Sequence, residues 1–308
     1  MALSQFLGME IGVPNPEDLD AFFAEIGLVG GGGRWGTADM PGQIEITEAP
    51  YRQLRAMRVG CDSESDLAAL VKRLEGFGVA SEHQDGRVSC MDPTGTWKVI
   101  VEPSPSIALS TQPHRSSNRP GERTRQGVRA EVITEDTARP PRRLGHVVMG
   151  SPDPMDSAKF FMDGIGFRLS DQVPGLATFM RCSSDHHNLL IHPGVVPYIN
   201  HYAFEHDDTD AVGAAASRYL SGREGEHVVG PGRHVIGANV FWYMNDPCGT
   251  MFEFFSDMDD ITDDDAWEAG THWSGDEFAV WGQKDPPEIF FSPRDIDGIA
   301  QAWTTERE

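Results

Sequence analysis

Glu253 lies in the run Met251-Phe252-Glu253-Phe254-Phe255, a carboxylate among apolar and aromatic neighbours in a segment of strong β propensity. Burying a lone carboxylate is costly unless it gives up its charge or meets a cation. A metal ion is such a cation, which makes Glu253 the first candidate ligand. Tyr243 and His234 precede it at fixed offsets, and the tight turn Asp246-Pro247-Cys248-Gly249 separates the tyrosine from the glutamate.

A single carboxylate holds no metal by itself, so the elements that would bring other ligands to it must be found. An internal repeat supplies them. Leu7–Leu28 and Leu144–Phe167 share one pattern, a short strand, a Pro-Asn/Asp-Pro turn, and a helix that carries a Phe-Phe pair and ends at Ile-Gly. Asn15 and Asp153 suit the N-cap, and Pro16 and Pro154 the first helical position. Further on, Asp92-Pro-Thr-Gly-Thr-Trp-Lys-Val matches Asp246-Pro-Cys-Gly-Thr-Met-Phe-Glu. Each half has another helix between these landmarks, predicted over Ser63–Phe77 and Asp208–Leu220. Repetition of this kind sets the architecture. It predicts an N-terminal module over 1–104, a Ser/Pro/Arg-rich linker over 105–142 with an extended piece at Val128–Thr134, a second module over 143–258, and an acidic, aromatic tail over 259–308 packed on the second module.

In that alignment Met9 stands at the place of His146 and Val99 at the place of Glu253. Nine of the eleven histidines fall after residue 140. The first module therefore reads as metal-free and the second as the catalytic one, with His146 as a ligand. Alternation along Tyr198–His206 puts His201, Ala203 and Glu205 on one face. His201 is the third ligand on this reading, with His206 as the fallback. Two histidines and one carboxylate suit iron(II) and leave coordination positions open.

Composition narrows the partners. The 308 residues carry a formal net charge of -23, heaviest around Asp257–Asp265, and such a surface repels nucleic acid and anionic lipid. Nothing in these residues resembles a signal peptide or a bilayer-length apolar run, and the four cysteines are scattered without a CxxC pair. Together these point to a cytoplasmic protein with reduced thiols.

The ligand segments resemble those of the type I extradiol ring-cleavage dioxygenases of the vicinal oxygen chelate superfamily, the catechol 2,3-dioxygenase and dihydroxybiphenyl dioxygenase group. The matching residues are Gly232-Arg-His234, Trp242-Tyr243, Asp246-Pro-Cys-Gly249 and Thr-Met-Phe-Glu253, with Leu144-Gly-His146 and Asn200-His201-Tyr-Ala-Phe upstream. Trp242 departs from the family's aliphatic residue or Phe. Val235-Ile-Gly-Ala238 replaces a stretch that is often polar Asn-Asp, which points to a more apolar pocket wall.

The resemblance implies an α+β fold of two tandem domains, each built from paired βαβββ modules (the glyoxalase-like fold). It implies an iron(II) site, although manganese(II) would satisfy the same ligands. His187 would be the acid–base residue, Tyr243 and His234 would contact substrate oxygens, and His186, Val148 and Ile236 would line or support the substrate site. The partners would be a catechol and dioxygen, the product a 2-hydroxymuconic semialdehyde, and the assembly a homo-oligomer. The alternatives are a metal-dependent lyase or isomerase of the same superfamily and a non-catalytic module that binds aromatic compounds.

Overall fold

Each half of the chain folds into one mixed sheet assembled from two strand–helix–three-strand units. In the N-terminal half, the first unit runs from strand Leu3–Val13 through helix Pro16–Glu25 to strand Ile44–Glu48, and the second from Gln53–Cys61 through helix Glu64–Phe77 to Lys98–Pro103. The C-terminal half repeats the plan with Arg143–Ser151 and Tyr198–Glu205 as the two opening strands. The result is α+β, with an eight-stranded and a nine-stranded sheet in which the opening strands lie side by side at the centre. The computed structural model describes residues 3–104, 106–110, 118–130, 139–267, 273–275 and 278–308. Residues 131–134 of the predicted extended piece fall outside these, and Val128–Ala130 are irregular.

Local signals explain the helix ends. Asp153 caps its helix by accepting from the Asp156 N–H at 3.3 Å, and Asp208 caps the next by accepting from the Ala211 N–H at 2.8 Å. Asn15 occupies the same position in the first unit, but its side chain makes no capping bond, so Pro16 alone marks that start. The Phe-Phe helix of the second half opens as Pro154–Lys159 and widens into a π-helical stretch over Phe160–Ile165.

The helices of both halves meet in one shared core. Phe22 packs on Tyr219 and Phe252, and Phe23 on Tyr202 and Phe204, with ring centroids 4.9–6.2 Å apart. Burying each such ring stabilises the fold by about 1.5–3 kcal/mol.

Strand register corrects the repeat alignment by one residue at both landmarks. Met9 lies opposite Ile44 and Met57, as Val147 lies opposite Leu189 and Tyr202. Gly8, not Met9, therefore holds the place of His146. At the second landmark the first turn is one residue longer: the Asp92 N–H donates to the Trp97 carbonyl, whereas the Asp246 N–H donates to that of Thr250. Ile100 then matches Glu253, and Ala56 matches His201. A slip of one residue exchanges the faces of a strand, and Met9 and Val99 accordingly lie in the apolar core. Gly8, Ala56 and Ile100 offer no side-chain ligand atom, so the first sheet lacks the set for a different reason from the one the alignment suggested.

The tail contacts both halves. Ala279–Trp281 adds an edge strand beside Arg233 and His234. Helix Ile296–Thr305 packs its Ile299 with Tyr51, Val196 and Tyr198. Among the described residues no helix is long and apolar enough to cross a membrane.

Candidate metal centre and active site

Three adjacent central strands bring His146, His201 and Glu253 to one face. His146 pairs with Ala203, and Ala203 with Glu253, while His201 precedes Ala203 by two residues and so points the same way. Bulges on both sides of His146–Val148 re-aim that strand. Gly145 permits this local packing, because a Cβ there would stand 2.5 Å from the Phe255 ring, which lies 5.0 Å from the His146 ring.

The three candidate ligand atoms lie within 4.8 Å of one another, and all three residues are buried. His146 Nε2 is 3.0 Å and His201 Nε2 3.6 Å from Glu253 Oε2. Glu253 itself is 0% exposed with no lysine or arginine paired to it among the described residues. Burial, reinforced by neighbouring histidines, pushes the His201 imidazole well below its ordinary value, so it is a neutral ring with a lone pair to give. Two imidazoles and a carboxylate converging in a buried site fit a divalent first-row metal.

Around this set stand groups that could act on a substrate. The Tyr243 hydroxyl lies 3.0 Å from His234 Nε2, and Tyr243 is directly opposite Glu253 across the strand pair. His234 Nδ1 donates to the Phe278 carbonyl at 3.1 Å, which leaves Nε2 to accept from Tyr243. Burial, then the Glu253 charge, pushes the Tyr243 hydroxyl well up, so it remains a donor. The turn between Tyr243 and Glu253 is clamped by Asp246, which accepts from the Tyr202 hydroxyl at 2.7 Å and from the Cys248 and Thr250 N–H groups.

His187 lies against His146, ring centroids 4.4 Å apart. Burial first, then the charges of His146, His186, His234 and His201, lower its pKa well below the ordinary value. Behind it, His186 Nδ1 is 3.0 Å from His187 Nδ1, and His186 Nε2 is 2.9 Å from Asp171 Oδ2. With one proton on each ring, His186 donates to Asp171 and His187 donates to His186. The Nε2 of His187 is then bare.

A cavity of about 140 Å³ opens beside these groups. His187, His201, His234 and Tyr243 line it, with Val148, Phe179, Leu190, Ile236, Phe278 and Phe290 as apolar wall. Of the three predicted pocket residues, Val148 and Ile236 are in the wall, whereas His186 is fully buried behind His187 and does not reach it. His206 is on the opposite face from His201, packed edge-on to Phe254 at 4.6 Å.

Several site residues carried no sequence signal that singled them out. Asn239 Nδ2 donates to Glu253 Oε1 at 2.9 Å, supplying the polar contact that Val235–Ala238 lack. Asp171 and Asn200 are buried polar residues on strands, and Phe278 and Phe290 come from the tail. His192 also lines the cavity, and burial lowers its pKa to about 4.

Comparison with known proteins places this geometry. The family profile of the Glyoxalase/Bleomycin resistance protein/Dioxygenase superfamily matches residues 143–254, the half that holds the site. The metapyrocatechase 2 of Cupriavidus necator is 32% identical over 267 residues, which is 82% of this chain and 79% of that one. An iron-dependent extradiol dioxygenase of Rhodococcus jostii is 30% identical over 141 residues, covering 41% of this chain and 46% of its own. The solved Mn(II)-bound glyoxalase of Novosphingobium aromaticivorans superposes with a TM-score of 0.72 at 26% identity, covering 94% of both chains. Fold and site thus define a vicinal oxygen chelate protein with a catalytic metal. Within that superfamily the chain belongs to the extradiol ring-cleavage dioxygenases.

Proposed function

We propose that the protein opens a monocyclic catechol carrying at most a small apolar substituent, cleaving the ring bond beside the two hydroxyls with dioxygen. Both oxygen atoms enter the product, a 2-hydroxymuconic semialdehyde. The observation that carries this reading is the buried His146–His201–Glu253 set beside a ring-sized apolar cavity that also presents an unprotonated imidazole. An apolar cavity of roughly 150 Å³ accepts one benzene ring, and the cavity here is about 140 Å³.

His146, His201 and Glu253 would hold iron(II). When bound, the iron supplies a Lewis acid that lowers the catechol hydroxyl pKa and carries charge between the two substrates. His187 is the base: it is neutral because burial disfavours its charged form, and Asp171 and His186 leave its Nε2 free to take a hydroxyl proton. The same nitrogen returns that proton as an acid later in the reaction. Tyr243 and His234 orient the substrate oxygens, Tyr243 as the donor where negative charge develops and His234, bare at Nε2, as an acceptor for a hydroxyl. Phe278 and Phe290 exclude water from the ring. The four cysteines are free thiols, in keeping with a cytoplasmic site of action, and the enzyme is expected to work as a homo-oligomer.

The test is oxygen uptake by anaerobically iron(II)-loaded protein given catechol, 3-methylcatechol and 2,3-dihydroxybiphenyl, with Glu253→Ala as control. Uptake with a yellow product from the monocyclic diols, lost in the variant, is expected. Iron retained without oxygen uptake would move the protein to the non-oxygenase chemistry of its superfamily, and a preference for the biaryl would refute the substrate class.

A further inference from the structure

We propose that Asn200 is a positioning residue through which the C-terminal segment and Arg52 set the tautomer and pose of His201; this rests on His201 being a metal ligand. Asn200 Nδ2 donates to the Phe290 carbonyl at 2.6 Å, and Asn200 Oδ1 is 2.8 Å from His201 Nδ1. A backbone carbonyl only accepts, so the amide must turn its NH2 to Phe290 and its oxygen to His201. That oxygen also only accepts. His201 therefore carries its proton on Nδ1 and presents a bare Nε2 to the Glu253 side of the site.

The grip on this strand is double. Arg52, buried in the first module, donates from Nη1 to the Ile199 carbonyl at 2.6 Å, one residue before Asn200. The same guanidinium is held by both Asp295 oxygens, at 2.7 and 2.8 Å. Phe290 and Asp295 thus fasten the C-terminal segment to consecutive residues, 199 and 200, next to the ligand. Phe290 also lines the substrate cavity and packs on Tyr243 with ring centroids 4.8 Å apart. The contrast with His146 is direct, since its Nδ1 has no partner among the described residues. A ligand histidine whose other nitrogen is anchored is held in one orientation, and loss of such an anchor typically costs about 10–100-fold in metal affinity.

The experiment titrates Mn(II) into metal-free full-length protein, reading free Mn(II) by electron paramagnetic resonance, and records the ring 15N shifts of His201 in the same metal-free samples. Asn200→Leu should weaken Mn(II) binding about 10–100-fold and disturb the Nδ1-protonated signature of His201. Asn200→Asp keeps an acceptor for His201 but loses the donor to the Phe290 carbonyl, so it should retain the signature and bind Mn(II) more weakly than wild type yet more tightly than Asn200→Leu. Asp295→Asn, remote from the ligand, should weaken Mn(II) binding through the Arg52 grip on the Ile199 carbonyl. Asn200→Leu with wild-type affinity, while His201→Ala loses binding, would overturn the Asn200 inference alone. So would Asn200→Asp binding as weakly as Asn200→Leu. Wild-type protein that binds no Mn(II), or His201→Ala that binds it unchanged, would overturn the ligand assignment and this inference together.

Discussion

His206 allows a sharp test of which histidine faces the site. Its ring is buried on the far side of the strand from His201, and burial lowers its pKa from 6.5 to about 3. In the unfolded chain it titrates normally. The folded state therefore resists protonation that the unfolded state accepts, and stability is lost as pH falls below about 6.5. At pH 5 the loss through this one residue is roughly 2 kcal/mol, about 1.4 kcal/mol for each pH unit below the unfolded value. At pH 7.5 it is close to zero. His206→Phe removes the term while keeping a ring against Phe254. Any packing strain from the larger ring enters at both pH values alike, so the difference between them isolates the titration. Urea unfolding of metal-free wild type and variant at the two pH values should show the wild type losing about 2 kcal/mol more than the variant. Metal binding should be unchanged. A variant whose pH loss equals that of the wild type, or one that no longer holds metal, would refute the reasoning.

Three further outcomes follow from the same geometry. Tyr243→Phe removes the hydroxyl 3.0 Å from His234 Nε2 and should lower kcat by about 10²–10³ with metal retained, the usual effect of losing one such donor; unchanged steady-state kinetics would refute the role. Val148→Phe pushes a ring into the cavity opposite His201, so KM for catechol should rise at least roughly tenfold, the effect of about 1.4 kcal/mol of lost binding, with Mn(II) affinity unchanged. Gly150→Ala places a Cβ 2.1 Å from the buried Tyr198 ring and should destabilise the fold by about 1–3 kcal/mol, read as a lowered urea midpoint.

The candidate ligand set was legible because its signals are local and periodic. An acidic residue inside an aromatic strand, a histidine two residues from Ala203 on an alternating strand, and a histidine before a repeated Pro-Asp-Pro turn can each be seen within a few positions. The repeat itself was equally visible, since cap residues, the Phe-Phe pair and the Asp-Pro-x-Gly turn recur in order. Its register was not. The first turn spans Asp92 to Trp97 and the second Asp246 to Thr250, and one additional residue in a hydrogen-bonded turn leaves no trace in the residue pattern while it reverses every side chain that follows.

The sequence by itself therefore determined the α+β repeat, the half of the chain that holds the candidate site, and the residue types that converge there, because strand alternation and helix caps are properties of neighbouring residues. Tertiary structure alone decided what holds those residues in working order. Asp171 reaches His187 through His186, Asn239 steadies Glu253, and Phe290 with Arg52 grips the strand of His201 from segments 90 and 147 positions away. Such contacts depend on which distant backbone groups are left needing a partner once the sheet has closed, and a buried amide or carbonyl finds that partner only in three dimensions.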